Sequence, residues 1–119
     1  MKVLKISYPT SLSKISNKEN DNIDVFVELE DGSHITVVVS TPLNLLEQMN
    51  KDNINYTPAP QPEIIVRSLT EENITKAIED YAREDAFWLK LLYAASVDKD
   101  AIDMDRIQSH LIEIKRSND

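Results

Sequence analysis

Residues 23–40 constrain the fold most, because apolar and polar residues alternate on both sides of Asp31-Gly32. Such alternation, with a period of two residues, is typical of a strand that buries one face. A two-residue turn would set Val27 opposite a polar residue, whereas a three-residue loop sets it opposite Ile35. The buried face selects the second arrangement, so we predict a β-hairpin whose loop ends in a bulge at Gly32, with a positive φ. The predicted pairs are Val27–Ile35, Val25–Val37 and Ile23–Val39.

Two more strands are predicted, one on each side of this hairpin in the sequence. Residues 2–8 alternate like a strand and end before Pro9. Their apolar face would consist of Leu4, Ile6 and Tyr8. Residues 64–66 are apolar at every position, which favours a strand buried on both faces in the centre of the sheet.

Two helix starts carry explicit capping signals. Thr41 precedes Pro42, a residue favoured at the first helical position, so a short helix is predicted there. Its buried stripe would consist of Leu43, Leu46 and Met49. Thr70 precedes two glutamates, which complement the positive end of a helix dipole. Leu69 and Ile74 have the spacing of a hydrophobic staple around that cap.

The main predicted helix begins after Thr70, and its apolar positions recur at three- and four-residue spacing. The predicted core-facing stripe consists of Ile74, Ala77, Ile78, Tyr81, Trp88 and Leu92. Because Asp85 would interrupt this stripe, we predict a break near Glu84 and a second helix over residues 86–95, capped by Asp85. A last amphipathic helix is predicted over residues 103–116. Its stripe would consist of Met104, Ile107, Leu111 and Ile114.

The order of elements, β-β-β-α-β-α-α-α, predicts the fold class. Strands cluster early and helices late, which is typical of an α+β domain. We expect a single domain over residues 1–119, with a small antiparallel or mixed four-stranded sheet and helices packed mainly on one face. Residues 57–62 contain three alternating prolines, which predict a stiff extended connector or, alternatively, a recognition segment for an aromatic groove.

Composition excludes several classes of function. The net charge of −8 argues against binding to nucleic acid or to an anionic membrane surface, where basic residues dominate affinity. The chain has no cysteine, and its single glycine excludes glycine-rich phosphate loops. No long apolar run predicts a signal peptide or membrane span. We therefore expect a soluble cytoplasmic protein without a cofactor.

No catalytic or metal-binding motif is recognised. Four aspartates raise a calcium hypothesis: Asp98, Asp100, Asp103 and Asp105. The EF-hand template fails because the glycine and the final glutamate are missing from their positions, and helix capping explains the acids. His34 and His110 are the only histidines and have no ligand or triad partner nearby in the sequence. We predict no metal site and no enzyme, with a hydrolase built around either histidine as the alternative.

An aromatic and acidic segment provides the candidate partner-binding residues. They are Tyr81, Glu84, Asp85, Phe87, Trp88 and Tyr93. Aromatic residues are enriched in the cores of protein interfaces, but they also fill the cores of domains, so both interpretations stay open. Exposed aromatic rings with acidic neighbours would suit a basic protein.

Two hypotheses of function follow. The first is a small acidic, non-enzymatic protein-binding module of unknown pathway, of the kind that immunity proteins and antitoxins use to neutralise a basic protein. The alternative is a homo-oligomeric structural or ligand-sensing domain that self-associates through the apolar helix at residues 87–93.

Overall fold

The structure is a computed structural model that describes residues 1–57 and 63–118. In it the chain forms a four-stranded sheet with helices. The strands are β1 Val3–Ser7, β2 Asn22–Leu29, β3 His34–Ser40 and β4 Glu63–Ile65. The helices are α1 Pro42–Asp52, α2 Glu71–Tyr81, α3 Arg83–Val97 and α4 Met104–Asn118. Short 3-10 turns lie at Leu12–Lys14 and Lys99–Ala101. The predicted α+β class and order of elements are confirmed.

The sheet is mixed, with the strand order β1-β2-β3-β4. The pairs β1–β2 and β2–β3 are antiparallel, and β3–β4 is parallel. A parallel pair needs a crossover connection, which the chain between β3 and β4, including α1, provides. The proline-containing segment predicted as a connector falls in this crossover, and residues 58–62 lie outside the described residues.

The hairpin of β2 and β3 has the predicted register. Val27 lies opposite Ile35, and the pairs Val25–Val37 and Ile23–Val39 follow. At the loop, the Gly32 N–H donates to the Leu29 carbonyl at 3.0 Å, and Gly32 has a φ of +89°. The three-residue loop with a positive φ at Gly32 is therefore confirmed, and the burial of one face explains why this register is adopted.

β4 differs from the prediction because it is an edge strand. It pairs only with β3 within the described residues, and its side chains alternate between the two faces of the sheet. Ile64 is buried in the core, whereas Ile65 is 58% exposed. The prediction of a central strand is wrong. An apolar run indicates that residues favour extended backbone, but it does not indicate that a second strand pairs with them.

β1 also departs from its predicted alternation. Its register against β2 shifts between Val3 and Lys5, as at a β-bulge. Val3 and Ile6 therefore both pack against the core, while Leu4 is exposed. The prediction that Leu4 shares a face with Ile6 is wrong, because one extra residue reverses the alternation of side chains.

α2 covers the inner face of the sheet and begins at the predicted cap. The Thr70 hydroxyl accepts the Asn73 N–H at 3.1 Å, and Leu69 and Ile74 are fully buried. The core is built from the following buried apolar residues: Ile15, Ile23, Val25, Val27, Leu29, Ile35, Val37, Val39, Ile64, Val66, Leu69, Ile74, Ile78, Ala82, Ala86 and Leu89. This core fixes the start of α3, where the candidate partner-binding residues lie.

α1 begins as predicted but does not bury its apolar stripe. The Thr41 hydroxyl accepts the Asn44 N–H at 3.4 Å, and Pro42 is the first helical residue. However, Leu43 and Leu46 are exposed, and no residue of α1 is buried. Helical spacing indicates which face of a helix is apolar, but it does not supply the element that covers it.

Candidate protein-binding surface

A left-handed turn separates α2 from α3. Glu84, Asp85 and Ala86 have φ values of 53°, 62° and 55°, in the left-handed region that L residues rarely adopt in succession. The Ala82 carbonyl accepts the Ala86 N–H at 3.1 Å across the turn. The predicted break near Glu84 is confirmed. The predicted cap is wrong, because Asp85 lies inside the left-handed turn and α3 has no side-chain cap.

The residues that face the core around this turn are small or aliphatic. After Ile78, the buried positions are Ala82, Ala86 and Leu89, and none of these residues has more than 2% of its surface exposed. The predicted continuation of the stripe is wrong at three positions that are exposed instead: Tyr81, Trp88 and Leu92. The buried positions continue from Ile78 at three- and four-residue spacing, so the error lies in assigning the core positions to the large aromatic residues rather than to the alanines between them.

Three aromatic side chains are exposed on either side of this turn. Phe87 is 55% exposed, Trp88 is 58% exposed and Tyr81 is 43% exposed. The rings of Phe87 and Trp88 meet edge to face, with centroids 5.3 Å apart, which is a favourable geometry for an aromatic pair. Tyr93 belongs to a different environment, because it is half-buried and packs against the core.

Two shallow grooves run beside these rings, and Glu84 borders both. One groove, of about 390 Å³, is lined by Asp80, Tyr81, Arg83, Glu84 and Trp88. The other, of about 460 Å³, is lined by Glu84, Asp85, Phe87, Lys90, Leu91, Ala94 and Ile102. Apolar rings and carboxylates thus lie together along the two grooves that Glu84 joins.

The charge on this part of the surface is negative. Asp80 forms an exposed ion pair with Arg83 at 3.1 Å. Glu84 and Asp85 are exposed and form no ion pair with any residue that the structure describes. We call the set Tyr81, Glu84, Asp85, Phe87 and Trp88 the acidic–aromatic surface.

α3 is anchored to the rest of the fold by buried residues and by one ion pair. Ala86 and Leu89 are buried in the core, and Lys90 forms an ion pair with Asp31 in the hairpin loop. The hydrogen bond from Lys90, together with the Ser33 N–H, holds the pKa of the Asp31 carboxyl below its usual range. A surface carried by an anchored helix loses little conformational entropy when it binds.

α4 carries a second apolar surface that the rest of the chain leaves uncovered. It is the predicted last helix, and each of its side chains from Met104 to Ser117 is exposed. Its stripe of Met104, Ile107, Leu111 and Ile114, which we call the arm stripe, faces solvent. The sequence predicts the stripe but gives no sign that α4 projects from the domain, because spacing reports only local amphipathicity.

The alternative sites have a simpler structural explanation. His34 lies opposite Glu28 and lines an open groove of about 320 Å³ with Ser7 and Tyr93, without a hydrogen bond between Ser7 and His34. Within residues 1–57 and 63–118, no three His, Asp or Glu side chains cluster as metal ligands. Instead, the Asp98 and Asp103 carboxylates accept the backbone N–H groups of Asp100 and Arg106.

Comparison with protein families, curated proteins and solved structures returns no match. Among the described residues, no helix is both long enough and apolar enough to cross a membrane. The function therefore has to be inferred from the acidic–aromatic surface and the arm stripe themselves.

Proposed function

We propose that this chain is a non-enzymatic protein-binding module, which binds a basic protein through its acidic–aromatic surface. One observation carries the proposal: Phe87 and Trp88 are more than half exposed, and Glu84 and Asp85 next to them are not neutralised by an ion pair within the described residues. Exposed neighbouring aromatic residues with a charged rim are typical of an interface whose partner has the opposite charge.

The two kinds of side chain would contribute to binding in different ways. Burial of Phe87 and Trp88 would supply most of the affinity, since aromatic residues dominate the energetics of interfaces. Glu84 and Asp85, supported by the net charge of −8, would accelerate encounter with a basic partner and select against acidic proteins. Binding that covers a basic functional site would neutralise it in the cytoplasm, as an immunity protein or antitoxin does.

Capture of partners on the immobilised chain tests the aromatic contribution. A lysate of the source cell is passed over the parent chain and over a Phe87→Ser/Trp88→Ser variant, and retained proteins are identified by mass spectrometry. We expect a basic protein on the parent chain and on the control variant below, but not on the Phe87→Ser/Trp88→Ser variant. Phe26→Ser is the matched control, because Phe26 is a similarly exposed aromatic residue outside this surface. Recovery of the same proteins on all three chains would contradict the proposal.

A second pair of variants tests the acidic contribution. Glu84→Gln/Asp85→Asn should slow association with the captured protein, and the effect should be largest at low salt. Glu19→Gln/Glu47→Gln removes the same charge from exposed positions elsewhere on the molecule and should leave the association rate near the parent value. Equal slowing in both variants would mean that net charge, rather than this surface, attracts the partner.

A further inference from the structure

We propose that two copies of the chain exchange α4, so that the arm stripe of each copy docks on the acidic–aromatic surface of the other. The inference rests on the proposed function in one respect, since it uses the same surface. It adds the chemical class of the ligand, an amphipathic helix with aliphatic residues along one face and basic residues in its last turn. α4 is such a helix.

α4 needs a partner to remain helical. It has 15 residues, and an isolated helix of this length is only marginally stable in water. Leu111, at the centre of the arm stripe, is 59% exposed, and no described residue covers this face of the helix. A helix with a continuous apolar stripe is stabilised mainly by burying that stripe against another element.

The charges of α4 complement the acidic–aromatic surface. Between Met104 and Asn118 the helix carries three basic residues and two acidic ones, within a chain of net charge −8. Lys115 and Arg116 form the basic last turn, and Lys115 lies beside Leu111, one turn further along the helix. The surface offers Glu84 and Asp85, which form no ion pair among the described residues. The last turn of α4 can therefore pair with these carboxylates.

The apolar area available matches what a stable pair needs. The three aromatic residues of the surface and the aliphatic residues of α4 are about half exposed, which amounts to roughly 800 Å² of apolar side chain on each copy. A standard stable interface buries about this area on each partner. One contact alone would use only half of it, so the reciprocal exchange of both arms accounts for the full area.

Reciprocal exchange also closes the assembly. The arm and the surface are different parts of one chain, so a single contact would leave one arm and one surface free and would allow chains to add without limit. Two copies related by a two-fold axis satisfy both surfaces on both chains. A basic partner would then compete with α4 for the acidic–aromatic surface, and binding of that partner would separate the pair.

Complementation between two full-length variants tests the exchange. Ile107→Asp/Leu111→Asp disables the arm and keeps the surface, whereas Phe87→Ser/Trp88→Ser disables the surface and keeps the arm. By sedimentation velocity at tens of micromolar, we expect the parent to be a dimer and each variant alone to associate at least about tenfold more weakly. An equimolar mixture of the two variants should associate more strongly than either variant alone and more weakly than the parent, because one arm–surface contact out of two is restored.

Two controls keep the result interpretable. Leu43→Asp/Leu46→Asp places the same charges on exposed leucines of α1 and should leave the dimer intact. At a concentration low enough for the parent to be monomeric, thermal unfolding should be nearly unchanged in the arm variant, because its substituted side chains do not contribute to the core.

Three results would overturn the exchange: a monomeric parent, a dimer that persists in either variant, or a mixture that associates no more strongly than either variant alone. A dimer that persists in the surface variant would indicate that α4 pairs with α4, and a monomeric parent would indicate that α4 packs on its own chain. The arm variant also separates this proposal from the proposed function. If the parent is a monomer but the arm variant still captures a basic protein through Phe87 and Trp88, the exchange fails while the binding function stands.

Discussion

At the scale of single residues, Gly32 allows the three-residue hairpin loop through its backbone conformation. Its φ of +89° is accessible to glycine and strained for residues with a side chain. A Cβ at this position would meet no atom within 4 Å, so the cost of substitution comes from the backbone alone. We expect Gly32→Val to lower the free energy of unfolding by about 1–3 kcal/mol, as measured by urea denaturation. Gly32→Asn should cost less, since asparagine tolerates positive φ better, and a Val variant as stable as the parent would be inconsistent with this loop.

The left-handed turn at Glu84, Asp85 and Ala86 predicts a stabilising glycine. Asp85→Gly should raise the free energy of unfolding by about 0.5–1 kcal/mol, because the relief of left-handed strain exceeds the entropy that glycine loses on folding. Glu79→Gly is the matched control on the exposed face of α2 and should lower stability by about 1 kcal/mol. Urea denaturation of both variants measures whether each substitution raises or lowers the free energy of unfolding. If both substitutions destabilise the chain, residues 84–86 form a regular right-handed helix instead.

At the scale of elements, the Asp31–Lys90 ion pair joins the hairpin loop to α3. The hydrogen bond from Lys90 lowers the pKa of Asp31 in the folded state below its unfolded value of about 3.8. A lowered carboxyl pKa contributes stability that is complete above the unfolded value and is lost as the pH falls below it towards the folded value. We therefore expect Lys90→Met to reduce stability at neutral pH, with the difference from the parent shrinking below about pH 4.

Urea denaturation across pH values checks this window, and the chain offers a matched ion pair. Arg83→Met removes the pair with Asp80, whose side chains are both mostly exposed, and it should change stability little at any pH. A Lys90→Met variant whose deficit stays constant from neutral pH to the acid limit would show that Lys90 acts through packing of its aliphatic stem rather than through the Asp31 carboxylate.

Elements that are determined locally could be predicted from the sequence. The hairpin register, the caps at Thr41 and Thr70 and the break near Glu84 all depend on residues close to one another in the chain. The position of β4 at the sheet edge could not be predicted, because it depends on which strands become neighbours after folding. The exposure of Leu43 and Leu46 on α1 has the same cause, since a helical stripe does not reveal whether another element covers it.

The acidic–aromatic surface could be predicted only in part. The sequence identifies its residues, but the core positions of α3 are taken by Ala86 and Leu89, and the larger aromatic residues beside them are exposed. The three successive left-handed residues at the start of α3 could not be predicted either, because no glycine or asparagine at residues 84–86 signals them. The sequence places Tyr93 close to these residues, but the structure separates Tyr93 from the surface because its side chain packs against the core.

At the scale of the whole molecule, net charge affects the two proposed interactions in opposite directions. Two copies that each carry a charge of −8 repel one another, at a cost on the order of 1 kcal/mol at moderate salt, while hydrophobic contact holds them together. The same charge attracts a basic partner and accelerates its arrival. The salt dependence of each interaction therefore reports which force dominates it.

The last prediction follows from this contrast. When sodium chloride is raised from low to high concentration, self-association should hold or tighten, because salt screens the repulsion between the two acidic chains and leaves hydrophobic burial of the arm stripe intact. Association with a captured basic protein should weaken over the same range, mainly through a slower on-rate. Sedimentation velocity measures the first and surface-based kinetics the second, with the Glu84→Gln/Asp85→Asn variant as a control that should flatten the second dependence. If self-association falls as steeply with salt as partner capture does, the pairing of Lys115 and Arg116 with acidic residues, rather than burial of the arm stripe, holds the two copies together.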